Sequence, residues 1–125
     1  MFESLKNREQ FRYVYRNGRS YANKYLVMYT AANHLDRHRL GISVSKKVGN
    51  SVIRHRLIRL IRESGRLNKE RLSAALNNEK ETKTCSDALG KDIVVIARAA
   101  AKGRGYREIE SAFLHLAGLH GMMKR

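Results

Sequence analysis

Residues 45–66 read SKKVGNSVIRHRLIRLIRESGR, and the way this stretch divides into a turn and a two-faced helix decides the architecture. Gly49-Asn50 interrupts the chain ahead of the helix. Asn50 or Ser51 can cap it, because either side chain can accept a hydrogen bond from a free amide of the first turn. At about 100° per residue, Ile53, Leu57, Leu60 and Ile61 share one arc of about 100°. His55, Arg59 and Arg62 lie opposite, Arg54 and Arg56 flank them, and Ile58 strays toward the polar side. Such a helix needs an apolar surface to rest on, and the neighbouring segments supply a sheet. Before it, Leu40, Ile42 and Val44 alternate with Gly41, Ser43 and Ser45, the pattern of a half-buried strand. After it, Asp92–Arg98 carries Ile93, Val94, Val95 and Ile96 in a continuous apolar run that suits an interior strand.

Further out, Asn7-x-x-Gln10 has the spacing of a capping box, and Phe11, Val14 and Tyr15 follow at helical intervals. Gly18 is a natural stop for that helix. Tyr25–Ala31 is rich in aromatic and branched residues and reads as a strand, and His34–His38 reads as a turn. Tyr106–Leu119 places Ile109, Ala112, Phe113 and Leu116 on one face of a final helix. The connection 68–91 is polar around Asn77–Ser86 and reads as an extended solvated loop, with a short helical extension through Ala74–Leu76. The sequence has no proline, so its turns rest on Gly and Asn. The order of helices and strands predicts one α+β domain over residues 1–125 with a single sheet.

Charge narrows the function. Lys and Arg number 26 against 11 Asp and Glu, a formal net charge of +15 with a pI near 10.5. Self-repulsion on that scale points to a polyanionic partner. No apolar run approaches the ~18 residues of a membrane span. Met1–Gln10 lacks the apolar segment of a secretory signal, and the one cysteine, Cys85, cannot form an intramolecular disulfide, so a cytoplasmic protein is expected. A solvated surface helix ordinarily interleaves Glu with its basic residues. Here Glu63 is the one acidic residue between Ser45 and Arg66, and guanidinium forks are suited to bidentate phosphate contacts.

Chemistry by the protein alone is not expected. The carboxylates are scattered, whereas a metal nuclease needs them clustered. His34 and His38 lie in a turn without an adjacent Glu, and His115 and His120 face different ways, so no metal site and no catalytic residue is assigned. Gly103-Arg104-Gly105 is a turn too short for a phosphate loop. A general or ribosome-associated RNA-binding domain remains an alternative on these grounds. So does a DNA-binding regulator, although no helix-turn-helix partner precedes Ser51.

GISVSKKVGNSVIRHRLIRLIRE at 41–63 resembles the signature of the protein subunit of bacterial ribonuclease P. The resemblance extends, in the same order, through FRYVYRNGRSYANKYLVMYT at 11–30, DIVVIAR at 92–98 and YREIESAFLHL at 106–116. Three departures stand out. His55 occupies the place of the family's central Asn, Ile58 stands where Lys or Arg is usual, and the connection 68–91 is longer. The resemblance implies an αβββαβα order and a four-stranded sheet with a left-handed βαβ crossover, the ribosomal protein S5 domain 2-like arrangement. A strand is then expected near residues 38–47 with the Tyr25–Thr30 region paired beside it.

The resemblance also implies a role as the protein component of an endoribonuclease whose chemistry is carried by a catalytic RNA. The holoenzyme removes the 5′ leader of precursor tRNA, with Mg²⁺ held mainly by RNA and substrate phosphates. Lys46, Lys47, Asn50, Arg54, His55, Arg56, Arg59 and Arg62 match the positions implied to contact RNA. Phe11, Tyr15 and Tyr29, with Val27, Ser43 and Ser45, match a cleft for the single-stranded leader. On the residues alone, Phe11 and Tyr15, at i and i+4, have a second reading as core anchors of the first helix. Aromatic rings can stack on any base, which suits a leader of varied sequence.

Overall fold

The computed structural model describes residues 3–5, 7–33, 35, 37–69, 72 and 90–122. Its elements are β1 (Glu3–Ser4), α1 (Arg8–Asn17), β2 (Arg19–Ala22), β3 (Leu26–Ala32), β4 (Arg39–Ser43), α2 (Ser51–Leu67), β5 (Lys91–Ala97) and α3 (Tyr106–Leu119), with a short 3₁₀ turn at Ala99–Ala101. Strand order across the sheet is β1-β4-β5-β3-β2. The expected αβββαβα order is present, and the two-residue β1 adds an edge strand to the four longer ones.

Local sequence explains most boundaries. The α1 capping box forms in both directions: Gln10 N–H donates to Asn7 Oδ1 at 2.9 Å, and Asn7 N–H donates to Gln10 Oε1 at 3.3 Å. Gly18 ends the helix, its N–H bonding the Val14 carbonyl at 2.8 Å. At the start of α2, Asn50 rather than Ser51 is the cap, its Oδ1 accepting from Ile53 N–H at 3.0 Å. The β-branched run of β5 lies at the centre of the sheet, parallel to β4 and antiparallel to β3, with Ile93, Val94 and Val95 fully buried.

Both faces of the sheet are covered. Leu26, Met28, Leu40, Ile93 and Val95 meet Leu57 and Ile61 of α2 and Ile109, Phe113 and Leu116 of α3 in the main core. Each fully buried side chain of that size contributes about 1.5–3 kcal/mol. On the reverse face, Val14 of α1 packs with Leu5, Ala31 and Val94, flanked by Phe11, Tyr29 and Ile96.

One expectation is corrected. The Tyr25–Thr30 region does not pair beside residues 38–47: β5 enters between β3 and β4, giving its apolar run two neighbours and two covered faces. The strand at Arg19–Ala22 carries no local signal, because all four residues are exposed and show no alternation. The strand at Leu40–Val44 has its expected core face, and its second face is covered at Gly41 by Phe11 and Leu5 and opens toward Ser45. At the start of the connection 68–91, Asn68 and Leu72 are both buried, with Leu72 in the main core. Asn68 donates its side-chain amide to the Ser64 carbonyl at 2.8 Å and to Glu110 Oε2 at 2.9 Å, tying the end of α2 to α3. The expected extension at 74–76, the polar stretch 77–86 and Cys85 lie outside the described residues.

Candidate RNA interface

Two surfaces carry the predicted site residues, and they meet where β4 turns into α2. The turn is built tightly. Val48 N–H bonds the Ser45 carbonyl at 3.1 Å, Val48 is buried in the main core, and a Cβ on Gly49 would stand 2.8 Å from the Ile53 side chain. This pins the strand end against the helix and leaves Ser45, Lys46 and Lys47 exposed at the corner.

Along α2 the helical wheel is realised. Leu57 and Ile61 are buried, Ile53 and Leu60 pack against the core, and His55, Arg59 and Arg62 are exposed in a row. Ile58, Arg54 and Arg56 are half-buried on the flanks. Arg54 Nε is buried and makes no hydrogen bond to the described residues. Arg56 is anchored, one guanidinium nitrogen donating to the Arg104 carbonyl at 2.9 Å. Asn50 is occupied as the helix cap, so its side-chain oxygen already has a partner. Glu63 forms an ion pair with Arg66 one turn beyond the row, and that hydrogen bond and charge hold its carboxyl below the usual range. The exposed row itself contains no acidic residue.

The second surface is the α1 side of the sheet. Strand register aligns Ser43, Ile96, Val27 and Ala22 in one row across β4, β5, β3 and β2, and Gly41, Val94, Tyr29 and Ser20 in the next. Helix α1 sits over the second row. The Phe11 ring occupies the space that a Cβ on Gly41 would need, with ring carbon Cζ only 2.6 Å from that position. Phe11 is therefore an anchor of α1 as well as a wall of the cleft. Tyr15, 41% exposed, meets Tyr29 edge-on with ring centroids 5.1 Å apart and planes at 80°. Burial, and then the neighbouring Tyr29, raise the Tyr15 phenol above its ordinary value, so its hydroxyl remains protonated at neutral pH. The first row lies half-exposed from Ser43 through Ile96 to Val27, ending at exposed Ala22. The result is an apolar floor with an aromatic wall, open at the end where Ser45 and Lys46 stand.

No local pattern marks Ile96, Ala22 or Gly41 for this cleft. Ile96 was hidden within the apolar run of β5, and only strand register shows which members of the run face α1. Among the described residues, no three His, Cys, Asp or Glu side chains are placed to hold a metal ion. No described helix is long and apolar enough to cross a membrane. His38 is buried with Nδ1 accepting from Lys91 N–H at 3.1 Å, and His34 lies outside the described residues. His115 and His120 have separate partners, Asn23 for the first and Thr30 with Met28 for the second. The element before α2 is β4, so the helix-turn-helix needed for the DNA-reading alternative is absent at that position.

The pattern of the Ribonuclease P family matches residues 2–119. The chain is 58% identical over 120 residues to the ribonuclease P protein component of Lachnoclostridium phytofermentans, covering 96% of this chain and 90% of that one. It is 46% identical over 112 residues to the component of Alkaliphilus metalliredigens, covering 90% and 87%. Among solved structures, the RNase P protein of Staphylococcus aureus superposes with a TM-score of 0.79 at 34% identity, covering 99% of this chain and all of that one. The RNase P protein of Thermotoga maritima superposes at 0.72 with 30% identity, covering 91% and 94%.

Proposed function

This chain belongs to the ribonuclease P protein family, and from that premise we propose that it binds a catalytic RNA through α2 and the 5′ leader of precursor tRNA through the α1 cleft. The observation that carries the proposal is the meeting of the two surfaces at the β4–α2 corner. A strand lying along Val27 and Ile96 would leave the cleft beside Lys46, Lys47 and the start of α2. Free amides and the helix dipole favour phosphate there.

The division of labour follows from side-chain chemistry. Arg59 and Arg62 present guanidiniums to phosphates of a structured RNA, which gives affinity without reading sequence. His55 supplies one hydrogen bond where an Asn would offer both a donor and an acceptor. Tyr15, Tyr29 and Phe11 offer ring edges and faces to unpaired bases, while Ser43 and Ser45 offer hydroxyls. By holding the leader, the protein favours precursor over mature tRNA and orients the scissile phosphate on the RNA.

Hydrolysis is proposed to belong to the RNA, with Mg²⁺ supplying charge stabilisation and an activated water. The cleft's donor set is hydroxyl and aromatic rather than a carboxylate cluster, so no protein ligand for the ion is assigned. The holoenzyme's work on tRNA places the protein in the cytoplasm under this reading.

The test mixes the purified protein with the catalytic RNA and a 5′-extended precursor tRNA at low Mg²⁺. Faster cleavage and tighter binding of precursor than of mature tRNA are expected. Absence of both would remove the proposal.

A further inference from the structure

A second groove lies on the α3 side of the sheet, away from the leader cleft. Its walls are the turn between β2 and β3 and the first turns of α3, and it encloses about 430 Å³ between Asn23, Lys24, Tyr25, Arg107, Ser111 and His115. That is within the range of small-molecule sites. The groove is built rather than incidental. Asn23 Nδ2 donates to the Ala112 carbonyl at 3.0 Å and contacts His115 Nδ1 at 3.2 Å, so the turn is clamped to α3. Asn23 Oδ1 accepts from Leu26 N–H at 3.0 Å, and the Asn23 carbonyl accepts from the Arg98 guanidinium at 2.8 Å.

Two cations stand over the Tyr25 ring: Lys24 Nζ at 5.7 Å and the Arg104 guanidinium carbon at 5.5 Å from its centroid. Lys24 and Arg107 line the groove beside Tyr25 and Ala112, Arg104 stands over the Tyr25 ring, and Arg98 braces the turn through the Asn23 carbonyl. The acid in the groove, Glu108, is engaged by Arg104 at 3.5 Å, by the Gly105 amide at 3.3 Å and by the Tyr25 hydroxyl at 3.5 Å. The surface is also continuous with α2, because Arg56 bonds the carbonyl of Arg104.

We propose that this groove is a second RNA site, taking an unpaired nucleotide of the same RNA that lies along α2. Its base takes the place of the Lys24 ammonium over the Tyr25 ring, and that ammonium and Arg107 then meet its phosphates. Positive charge around an apolar pocket of nucleotide size selects this class of occupant. Continuity with Arg56 assigns it to the RNA partner rather than to the leader, which lies across the sheet. The inference rests on the RNA-partner reading above and adds a contact surface to it.

The test measures affinity of the full chain for the catalytic RNA as a function of salt. Three variants are compared: Lys24→Glu with Arg107→Glu, Ser111→Trp, and Arg59→Ala with Arg62→Ala. Lys24, Arg107 and Ser111 are all exposed, so these changes leave the core intact. The charge reversal is expected to weaken binding by about tenfold or more and to flatten the salt dependence by about two phosphate contacts. Ser111→Trp fills the groove without changing charge, so it should weaken binding while the salt slope stays as in the parent. Both should leave the ratio of precursor to mature tRNA affinity unchanged. Loss only with the charge reversal would mean general electrostatics and overturns the nucleotide site. Loss only with the α2 variant overturns this inference and leaves the proposed function standing. Loss with none of the three removes both.

Discussion

Gly41 shows how much a single residue controls on the α1 face of the sheet. A Cβ there would stand 2.6 Å from the Phe11 ring and 3.0 Å from Leu5, so the lack of a side chain lets α1 settle on the sheet. Gly41→Ala is expected to cost about 1–3 kcal/mol by overpacking, measurable by urea unfolding. Adding Phe11→Leu in the same chain should recover part of the loss; no recovery would mean that Phe11 is not the obstacle. His120 is a second such position. Its Nε2–H donates to the Met28 carbonyl and its Nδ1 accepts from the Thr30 hydroxyl, each at 2.9 Å. Burial, with Lys91 and Arg19 adding to it, holds its pKa below the ordinary value of about 6.5. Because the unfolded chain takes up this proton more readily, the contribution is complete above about pH 6.5 and declines as pH falls through the folded value. Unfolding measured between about pH 7.5 and 5 should show a shallower acid loss for His120→Gln than for the parent. Equal slopes would remove His120 as the source.

Helix α2 combines a buried face with an exposed basic face, and stability should separate experimentally from the proposed RNA binding. Asn50→Ala removes the cap and should cost about 1 kcal/mol in thermal or urea unfolding. Arg59→Ala with Arg62→Ala touches only exposed side chains and should change stability by no more than about 0.5 kcal/mol. The same pair should weaken RNA binding and lower the salt slope by about two, so an unchanged slope would place the RNA elsewhere. The elements whose information is local were legible beforehand. The capping box of α1, the two-faced pattern of α2, the apolar run of β5 and the face of α3 each lie within one short window. Arg19–Ala22 was not legible in the same way, because an all-exposed edge strand is defined by its hydrogen bonds to β3 rather than by its own pattern.

At the scale of the molecule, one sheet separates a side partly covered by α1 from a side packed on α2 and α3. Near the edge of the α1 side, Asp92 is buried and held by Arg39 through two hydrogen bonds of 2.7 and 2.6 Å, with Asn33 donating at 3.0 Å. Asp92→Ala removes two charge-assisted hydrogen bonds from the half-buried Arg39 and one from Asn33, and should cost about 1.5–3 kcal/mol in urea unfolding. A change within a few tenths would show that the pair is not needed. Tyr29→Ala should reduce the preference for precursor over mature tRNA while sparing RNA assembly; equal loss for both tRNAs would indicate a cleft elsewhere. The amino-acid sequence by itself determined the helices, the interior strand, the basic row of α2 and the family resemblance, since periodicity, capping and charge are carried by nearby residues. Only the tertiary structure decided that β5 divides β3 from β4, that Gly41 seats Phe11, and that Ile96 lies beside Val27. It alone brought Lys24 and Tyr25 to Arg104 and α3. Those facts depend on strand register and on contacts between distant segments, which no local pattern encodes.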